Sequence, residues 1–184
     1  MSGERTALLV IDMLNRYEHE DAEPLVASVR EALPAMARLV AQARSADVLV
    51  VYVNDNHGDW SAGREQLCER ALGGADRKLV EPVLPPPDAA FVTKARHSAF
   101  YETQLDYLLR SSAVERVVLA GQVTEQCILY SALDAYVRHY SIVVPRDGVA
   151  HIHRDLADAA LRMMEVNMRA RIAECATLFA GEAP

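Results

Sequence analysis

The sequence predicts an α/β fold: a three-layer αβα sandwich around a six-stranded, mostly parallel, doubly wound sheet of Rossmann-like order. Two patterns predict this fold. Short runs rich in valine, isoleucine and leucine alternate with longer segments in which apolar residues recur every three or four positions. The short runs are apolar throughout, which is typical of parallel strands buried on both faces. Right-handed crossovers through the intervening helices then give the doubly wound arrangement.

Strands and helices are predicted in alternation along the chain. The first strand covers residues 7–11, and the amphipathic helix after it covers 24–45, where Pro24 suits a first helical turn. Residues 54–87 are an exception, because their glycines and prolines indicate an excursion of loops and short helix near a site. The other predicted strands are 48–53, 90–93, 117–120, 142–144 and, weakly, 171–175, and the other predicted helices are 101–110, 124–138 and 154–169.

Length and composition indicate a single domain over residues 1–184, with 51% hydrophobic residues for a sizeable core. The net charge of −7 provides no positive surface for nucleic acid or an anionic membrane, so neither is expected as a partner. Three separated cysteines without a CxxC pair argue against a disulfide framework or a cysteine zinc site. No basic leader or membrane-spanning apolar run is present, so we expect a cytoplasmic location.

Three reactive side chains stand directly after predicted strands. Asp12 follows the first strand, Lys94 follows strand 90–93, and Cys127 lies a few residues after strand 117–120. In doubly wound sheets, ligands bind outside the carboxyl ends of the strands. The sequence therefore predicts that an acid, a lysine and a cysteine converge on one edge of the sheet.

Cys127 has two interpretations. It falls in the first turn of a predicted helix, where unpaired N–H groups and the helix dipole favour a thiolate. However, a free cysteine is often a packing residue, and Asp12 with Lys94 is also compatible with a structural ion pair. The catalytic interpretation makes Asp12 the general base, Lys94 an electrostatic anchor and Cys127 the nucleophile. Backbone N–H groups at the helix start would hold the developing oxyanion.

Other catalytic sites lack a required part in this sequence. The turn at 12–15 has no glycine, which excludes a dinucleotide fingerprint, and no GxxxxGK[ST] or GxSxG segment is present. An aspartyl phosphatase needs a second acid where Leu14 stands. A phosphate-accepting regulator domain needs its acceptor aspartate where Lys94 stands.

Three motif blocks carry a resemblance: LLVIDMLN at 8–15, VTKARHSAF at 92–100 and GQVTEQC at 121–127. In this order and spacing they resemble the isochorismatase-like cysteine hydrolase superfamily, which includes nicotinamidases, N-carbamoylsarcosine amidases and isochorismatases. The resemblance implies a triad of Asp12, Lys94 and Cys127. It also implies a cis peptide between Gln122 and Val123, with the N–H groups of Val123 and Cys127 as the oxyanion hole.

The chain departs from this family near the first strand, where Leu14 and then Arg16-Tyr17 replace the commoner glutamine and acidic-aromatic pair. Retention of Cys127 favours a small amide, carbamoyl or related C–N bond, cleaved through a thioester. One alternative is an isochorismate-type vinyl ether hydrolase that uses Asp12 as an acid. Another is a catalytically degenerate binding or assembly module.

The segment Asp55-Asn56-His57 resembles half of the nicotinamidase metal site, but residues 73–78 lack the histidine expected next. Two ligands on a loop do not make a dependable divalent site. We therefore predict neither a metal nor another cofactor.

The substrate is expected to be a small molecule, and the family resemblance favours a homo-oligomer. Apolar residues after the last helix, which include Leu178 and Phe179, are candidates for the contact between subunits. Aromatic and histidine side chains near the motifs are candidates for the pocket walls. These candidates are Tyr17, Trp60, His97, Phe100 and Tyr101.

Overall fold

Apolar strands form the centre of the molecule, and helices cover both faces of their sheet. The computed structural model describes residues 4–179. The strands are β1 (Thr6–Ile11), β2 (Leu49–Asp55), β3 (Ala90–Lys94), β4 (Arg116–Gln122), β5 (Ser141–Pro145), β6 (Val149–Ala150) and β7 (Arg171–Ala173). The helices are α1 (Ala22–Ser45), α2 (Arg64–Leu72), α3 (Leu105–Ser111), α4 (Leu129–Val137) and α5 (Arg154–Met168).

All strand pairs are parallel, and the sheet order is β3-β2-β1-β4-β5-β7, with β6 beside β4. The predicted three-layer α/β fold is confirmed, and each of the six predicted strands is present. The seventh strand, β6, escaped prediction because its two residues are too few to form a pattern. The last strand ends at Ala173, before a single 3-10 turn at Cys175–Thr177.

Two helices begin later than predicted. The segment expected to be helical from residue 101 forms turns first, and α3 begins at Leu105. The Thr103 hydroxyl accepts a hydrogen bond from the Leu105 N–H at 3.3 Å and donates to the Ala99 carbonyl at 2.6 Å. This local bonding competes with an earlier helix start. The predicted helix 124–138 begins as a π turn, Thr124–Ile128, and continues as α4.

The excursion after β2 is partly helical. It holds α2 and two 3-10 turns, Arg77–Leu79 and Glu81–Val83. Its prolines lie in and after the second 3-10 turn, which fits their fixed φ and missing N–H. The prediction of loops with a short helix is therefore correct in kind.

Alternate residues of β1 face opposite sides of the sheet, as a pleated strand requires. Leu8 and Val10 pack in the core under α1, and Leu9 and Ile11 pack in the core under α3, α4 and α5. Both faces are buried, which explains why the sequence shows continuous apolar runs instead of alternation.

The strand order changes direction at β1, because β2 and β3 lie on one side of it and β4, β5 and β7 on the other. The adjacent strands β1 and β4 approach each other closely at this point. Gly121 has φ +120, and a Cβ at this position would lie 2.1 Å from the Ile11 carbonyl oxygen. Only glycine fits this contact. The contact sets the end of β4 directly beside Asp12.

The ends of the chain bear on two predictions. The predicted domain, residues 1–184, extends beyond the described residues at both ends. Leu178, expected at a subunit contact, is buried against the α1 side of the core, and Phe179 packs partly against it. Exposed apolar side chains are present on α4 and α5, for example Val137 and Val166. Within residues 4–179, none of the helices has the length and apolar character needed to cross a membrane.

Candidate active site

The carboxyl edge of the sheet brings Asp12, Lys94 and Cys127 together. Asp12 follows β1 with φ 55, a left-handed conformation that is uncommon for a residue other than glycine. Lys94 is the last residue of β3, and Cys127 lies in the π turn that follows β4. The strand-end argument from the sequence therefore places all three side chains at one edge.

Lys94 is the buried centre of this group, since none of its side chain is exposed. Its Nζ lies 2.8 Å from Asp12 Oδ2, 3.4 Å from Asp55 Oδ2 and 3.7 Å from Cys127 Sγ. Burial alone would lower the pKa of the Lys94 ammonium, but the charges of Asp12, Cys127 and Asp55 outweigh it and raise this pKa. The ammonium therefore stays charged at neutral pH.

Asp12 is held from its backbone and from its side chain. Its N–H donates to the Val53 carbonyl at 2.8 Å, and its carbonyl accepts from Gln122 Nε2 at 2.7 Å. Its Oδ1 accepts the backbone N–H of Asp55 at 2.8 Å, while its other oxygen contacts Lys94. One carboxylate orientation is thus fixed by two different partners.

The Cys127 thiol is buried, with 8% of the residue exposed. Burial raises its pKa above the ordinary thiol range, and the Asp12 carboxylate raises it further. Lys94 and a backbone hydrogen bond from Val123 act in the opposite direction but do not outweigh these effects. The structure thus differs from the thiolate favoured by the sequence argument, because burial and a nearby carboxylate outweigh the helix start.

The turn around Cys127 has an unusual backbone. The peptide between Gln122 and Val123 is cis, which confirms what the resemblance implies. The Val123 carbonyl accepts the N–H groups of Gln126 at 3.0 Å and Ile128 at 3.1 Å, the two neighbours of Cys127. The Thr124 hydroxyl donates to the Ala150 carbonyl at 2.9 Å, which fastens the turn to β6. The sulfur, the Val123 N–H and the Asp12 carboxylate therefore share one small region.

A cavity of about 220 Å³ opens beside these residues. Its volume suits a small molecule. A larger cavity of about 890 Å³ lies at the opposite edge of the sheet, among the amino ends of the strands, and contains none of the three reactive residues. The cavity beside the sulfur is lined by Asp12, Asn15, His19, Asp21, Leu25, Asp55, His57, Lys94, Gln122, Val123, Gln126, Cys127 and Ile152.

The five predicted pocket residues are not part of this lining. His97 comes nearest, with Nδ1 3.7 Å from Cys127 Sγ and its ring stacked on Tyr130. Tyr17 is buried behind the cavity, where its hydroxyl donates to Gln122 Oε1 at 3.5 Å, and burial raises its pKa to about 12.

The other three predicted pocket residues require correction. Trp60 is 85% exposed, because the excursion carries it onto the surface instead of over the cavity. Phe100 is buried in the core near Tyr140, and Tyr101 is exposed in the turns before α3. The cavity is lined mainly by polar and charged residues at the carboxyl edge of the sheet, and not by these aromatic residues.

Asp55 and His57, the suspected half of a metal site, are both engaged. Asp55 contacts Lys94, and His57 Nε2 lies 3.0 Å from the Leu14 carbonyl, which can only accept a hydrogen bond. Within the described part of the chain, no group of three or more His, Cys, Asp or Glu side chains is arranged to hold a metal ion.

Sequence reasoning did not identify Asp55 as a second carboxylate in contact with Lys94. The signal is the register of β2 and β3, which pairs Asp55 with Lys94 directly. It also missed His19 and Asp21, which line the cavity just before α1. Their position in the connection after β1, at the carboxyl edge, is a usable signal for a wall residue.

Comparisons with known proteins agree with this architecture. A family model described as the isochorismatase domain matches residues 6–178. The chain is 33% identical to the uncharacterized isochorismatase family protein YaaI of Bacillus subtilis, covering 90% of this chain and 91% of that protein. It is 32% identical to maleamate amidohydrolase of Pseudomonas putida, covering 86% and 78%. The crystal structure of an isochorismatase-like hydrolase from Alkaliphilus metalliredigens matches with TM-score 0.77 and 25% identity, covering 95% and 97%.

Proposed function

Since the chain belongs to the isochorismatase family of hydrolases, we propose that it cleaves the C–N bond of a small amide or carbamoyl compound through a thioester on Cys127. One observation carries this proposal. The Cys127 sulfur lies 3.7 Å from a buried ammonium that also contacts the Asp12 carboxylate, beside a small cavity. A base, a cation and a nucleophile in contact at a cavity are the parts that acyl transfer requires.

In the first step, the thiol proton passes to Asp12 as the sulfur attacks the carbonyl carbon of the substrate. The new C–S bond pushes an electron pair onto the carbonyl oxygen, and the N–H groups of Val123 and Cys127 hold that oxyanion. Lys94 stabilises the negative charge as it leaves the carboxylate and forms on sulfur. The raised pKa of the thiol fits this sequence, because the proton leaves only when the attack begins.

In the second step, the oxyanion collapses and the C–N bond breaks. The leaving nitrogen takes the proton from Asp12 and departs as an amine or ammonia, which leaves an acyl group on the sulfur. Water then attacks this thioester, and Asp12 accepts a proton from it. The acid is released and the proton returns to the sulfur, so one water molecule is consumed for each bond cleaved.

The proposal favours an amide over a vinyl ether because the sulfur faces the cavity with a base and a cation beside it. A vinyl ether hydrolase needs Asp12 as a proton donor and makes no use of a cysteine. The similarity to maleamate amidohydrolase, named for an amide substrate, supports the same choice. A binding or assembly module makes no use of a buried lysine shared between an acid and a thiol.

The test is a screen of primary amides, N-carbamoyl compounds and isochorismate with the wild-type protein and the Cys127→Ala and Asp12→Asn variants. We expect hydrolysis of an amide or carbamoyl compound that both substitutions abolish, with unchanged circular dichroism spectra. Hydrolysis of isochorismate that survives Cys127→Ala but not Asp12→Asn would establish the vinyl ether alternative. No turnover by the wild-type protein across the screen would favour the binding module.

A further inference from the structure

A histidine contacts the Cys127 sulfur from outside the cavity. The Nδ1 atom of His97 lies 3.7 Å from Cys127 Sγ, the same distance that separates this sulfur from Lys94 Nζ. Asp12 and Lys94 line the cavity, whereas His97 does not. The sulfur therefore has a titratable neighbour that lies outside the space a substrate would enter.

The ring of His97 is held in this position by an aromatic contact. It stacks on Tyr130 of α4, with 5.4 Å between the ring centroids and 22° between the ring planes. The segment that carries His97 is also fastened to α4, because the Ala99 N–H donates to the Ser131 hydroxyl at 2.9 Å. The contact between the imidazole and the sulfur is thus supported by its surroundings.

His97 differs from the other groups around the sulfur in its exposure to solvent. Asp12, Lys94 and Cys127 are all buried, whereas His97 is an exposed residue. A ring nitrogen that contacts the sulfur therefore belongs to a side chain that also reaches water. Imidazole is the side-chain group that ordinarily gains and loses a proton between about pH 5 and 8. A proton can pass between the sulfur and solvent through such a ring.

We propose that His97 is a second proton partner of the Cys127 thiol and connects the buried sulfur to solvent in the free enzyme. The thiol proton moves from Sγ to Nδ1, and the electron pair of the S–H bond stays on sulfur. The ring becomes an imidazolium, whose Nδ1–H donates to the thiolate. This inference rests on the proposed role of Cys127 as the nucleophile, and Asp12 keeps its role in the attack on a substrate.

The groups around the pair act on this proton transfer in both directions. The Lys94 ammonium favours the thiolate, whereas burial and the Asp12 carboxylate disfavour it. On the other side, the imidazole faces the ring of Tyr130, and the guanidinium of the preceding residue, Arg96, donates to the Ala95 carbonyl at 3.1 Å. An imidazolium adds a second cation beside the sulfur, and this charge offsets the effect of the Asp12 carboxylate.

The test follows the alkylation of Cys127 by iodoacetamide from about pH 5 to about pH 9, with peptide mass analysis. In this reaction the sulfur forms a C–S bond, iodide leaves, and the proton goes to solvent. A thiolate that forms by losing its proton to water reacts about tenfold faster for each pH unit below the thiol pKa. A thiolate paired with an imidazolium stops gaining rate once the imidazole has titrated, because the pair then only exchanges a proton internally.

The decisive variant is His97→Phe, which keeps a ring to stack on Tyr130 and removes the titrating nitrogen. We expect the ratio of the wild-type rate to the variant rate at Cys127 to be constant at low pH. Above the range in which imidazoles titrate, this ratio should fall by about tenfold per pH unit until the two rates converge. His97→Gln, whose amide donates a hydrogen bond but takes up no proton, should show the same fall.

Two controls belong to the same experiment. His153→Phe replaces an exposed histidine at the start of α5 that makes no side-chain capping bond, and it should leave the wild-type profile unchanged. The half-buried Cys68, whose pKa is raised by burial, reports the intrinsic pH dependence of the reagent in every protein and should not respond to His97→Phe.

A wild-type rate at Cys127 that rises without a break across this pH range would overturn the proposal, as would a break that persists in His97→Phe. A rate lowered by one constant factor at every pH would assign His97 a packing role instead. The labelling needs no turnover, so it keeps its meaning in a protein that hydrolyses no amide. Amide hydrolysis that Cys127→Ala abolishes, together with an unbroken labelling profile, would support the proposed function and remove His97 from it.

Discussion

Two buried cysteines lie at the carboxyl edge of the same sheet, and they differ in the groups that surround the sulfur. Cys127 follows β4 and Cys175 follows β7, with 8% and 3% of each residue exposed. Burial raises the pKa of both thiols, and a neighbouring carboxylate raises each one further. A raised thiol pKa therefore does not distinguish a nucleophile from a packing residue.

The two thiols differ in whether a cation lies beside the sulfur and its neighbouring carboxylate. At Cys127, the Lys94 ammonium lies 3.7 Å from the sulfur and 2.8 Å from Asp12, so the thiolate that forms during attack has a cation beside it. At Cys175, the pKa is shifted by burial and by the carboxylates of Asp147 and Glu174. The Cys127 thiol therefore has an ammonium and a carboxylate beside it at a cavity, whereas no cation contributes to the pKa shift of the Cys175 thiol.

The largest expected effect follows from replacing each cysteine with alanine, which removes the thiol. Cys127→Ala should lower the turnover of any hydrolysed amide by about a thousandfold or more, because it removes the proposed nucleophile. Cys175→Ala should leave turnover within about twofold while lowering stability by about 1 kcal/mol through lost packing. Enzyme assays and urea unfolding measure the two effects. Equal losses of turnover in the two variants would erase the distinction.

Removing the cation should have the next largest effect. Lys94→Met leaves Asp12 without its partner and the thiolate without a counter-charge, so turnover should fall by about a hundredfold. The matched variant Arg146→Met removes an exposed cation near Cys175, 3.8 Å from Glu174, and should change turnover by less than about twofold. Both variants are assayed below their melting temperatures. Full activity in Lys94→Met would show that the cation plays no part.

A smaller effect is expected in the pH dependence of thiol alkylation. At pH 7 both cysteines should react with iodoacetamide more slowly than a free thiol, and the rates should rise with pH beyond the ordinary thiol range, because both pKa values are raised. Asp12→Asn removes a negative charge and should lower the pKa of Cys127 alone, and Asp147→Asn should do the same for Cys175. Lys94→Met should raise the pKa of Cys127. A shift of the opposite sign in any of these variants would contradict the charges assigned around that sulfur.

The smallest expected effect concerns packing around Cys175. A Cβ on Gly148 would lie 2.7 Å from the Cys175 sulfur, so Gly148→Ala should destabilise the protein by about 1 to 2 kcal/mol without a change in turnover. Adding Cys175→Ala removes the sulfur that the new Cβ would contact, so the double variant should recover part of the lost stability in a double-mutant cycle. If the losses of unfolding free energy measured in urea are strictly additive, a clash with the Cys175 sulfur does not cause the destabilisation.

The sequence was sufficient for six strands of the sheet and for the convergence of Asp12, Lys94 and Cys127 at one edge. Continuous apolar runs identify buried parallel strands, and the residue after each run must lie at the carboxyl edge, which is why Asp12, Lys94 and Cys127 were found together. The two-residue strand β6 and the π turn before α4 left no periodic signal. Their formation depends on contacts between distant segments, such as the hydrogen bond from Thr124 to the Ala150 carbonyl.

The walls of the cavity were harder to predict than its chemistry. Trp60 and Tyr101 were chosen by residue type and by closeness to motifs, but side-chain direction on irregular segments is decided by tertiary packing. The sign of the Cys127 pKa shift was missed for a related reason. The helix-start argument counts local N–H groups, whereas burial and the Asp12 charge come from other parts of the chain. Strand register, which joins Asp55 to Lys94, requires the assembled sheet.

If an acyl group is carried on Cys127, the mass of that residue should increase during the first turnover. The protein is mixed with an amide that it hydrolyses, quenched in acid within milliseconds and digested for peptide mass analysis. We predict an added acyl mass on the Cys127 peptide that hydroxylamine removes, with the Cys175 peptide unmodified. A Cys127 that stays unmodified while product forms during the first turnover would rule out a thioester on this residue.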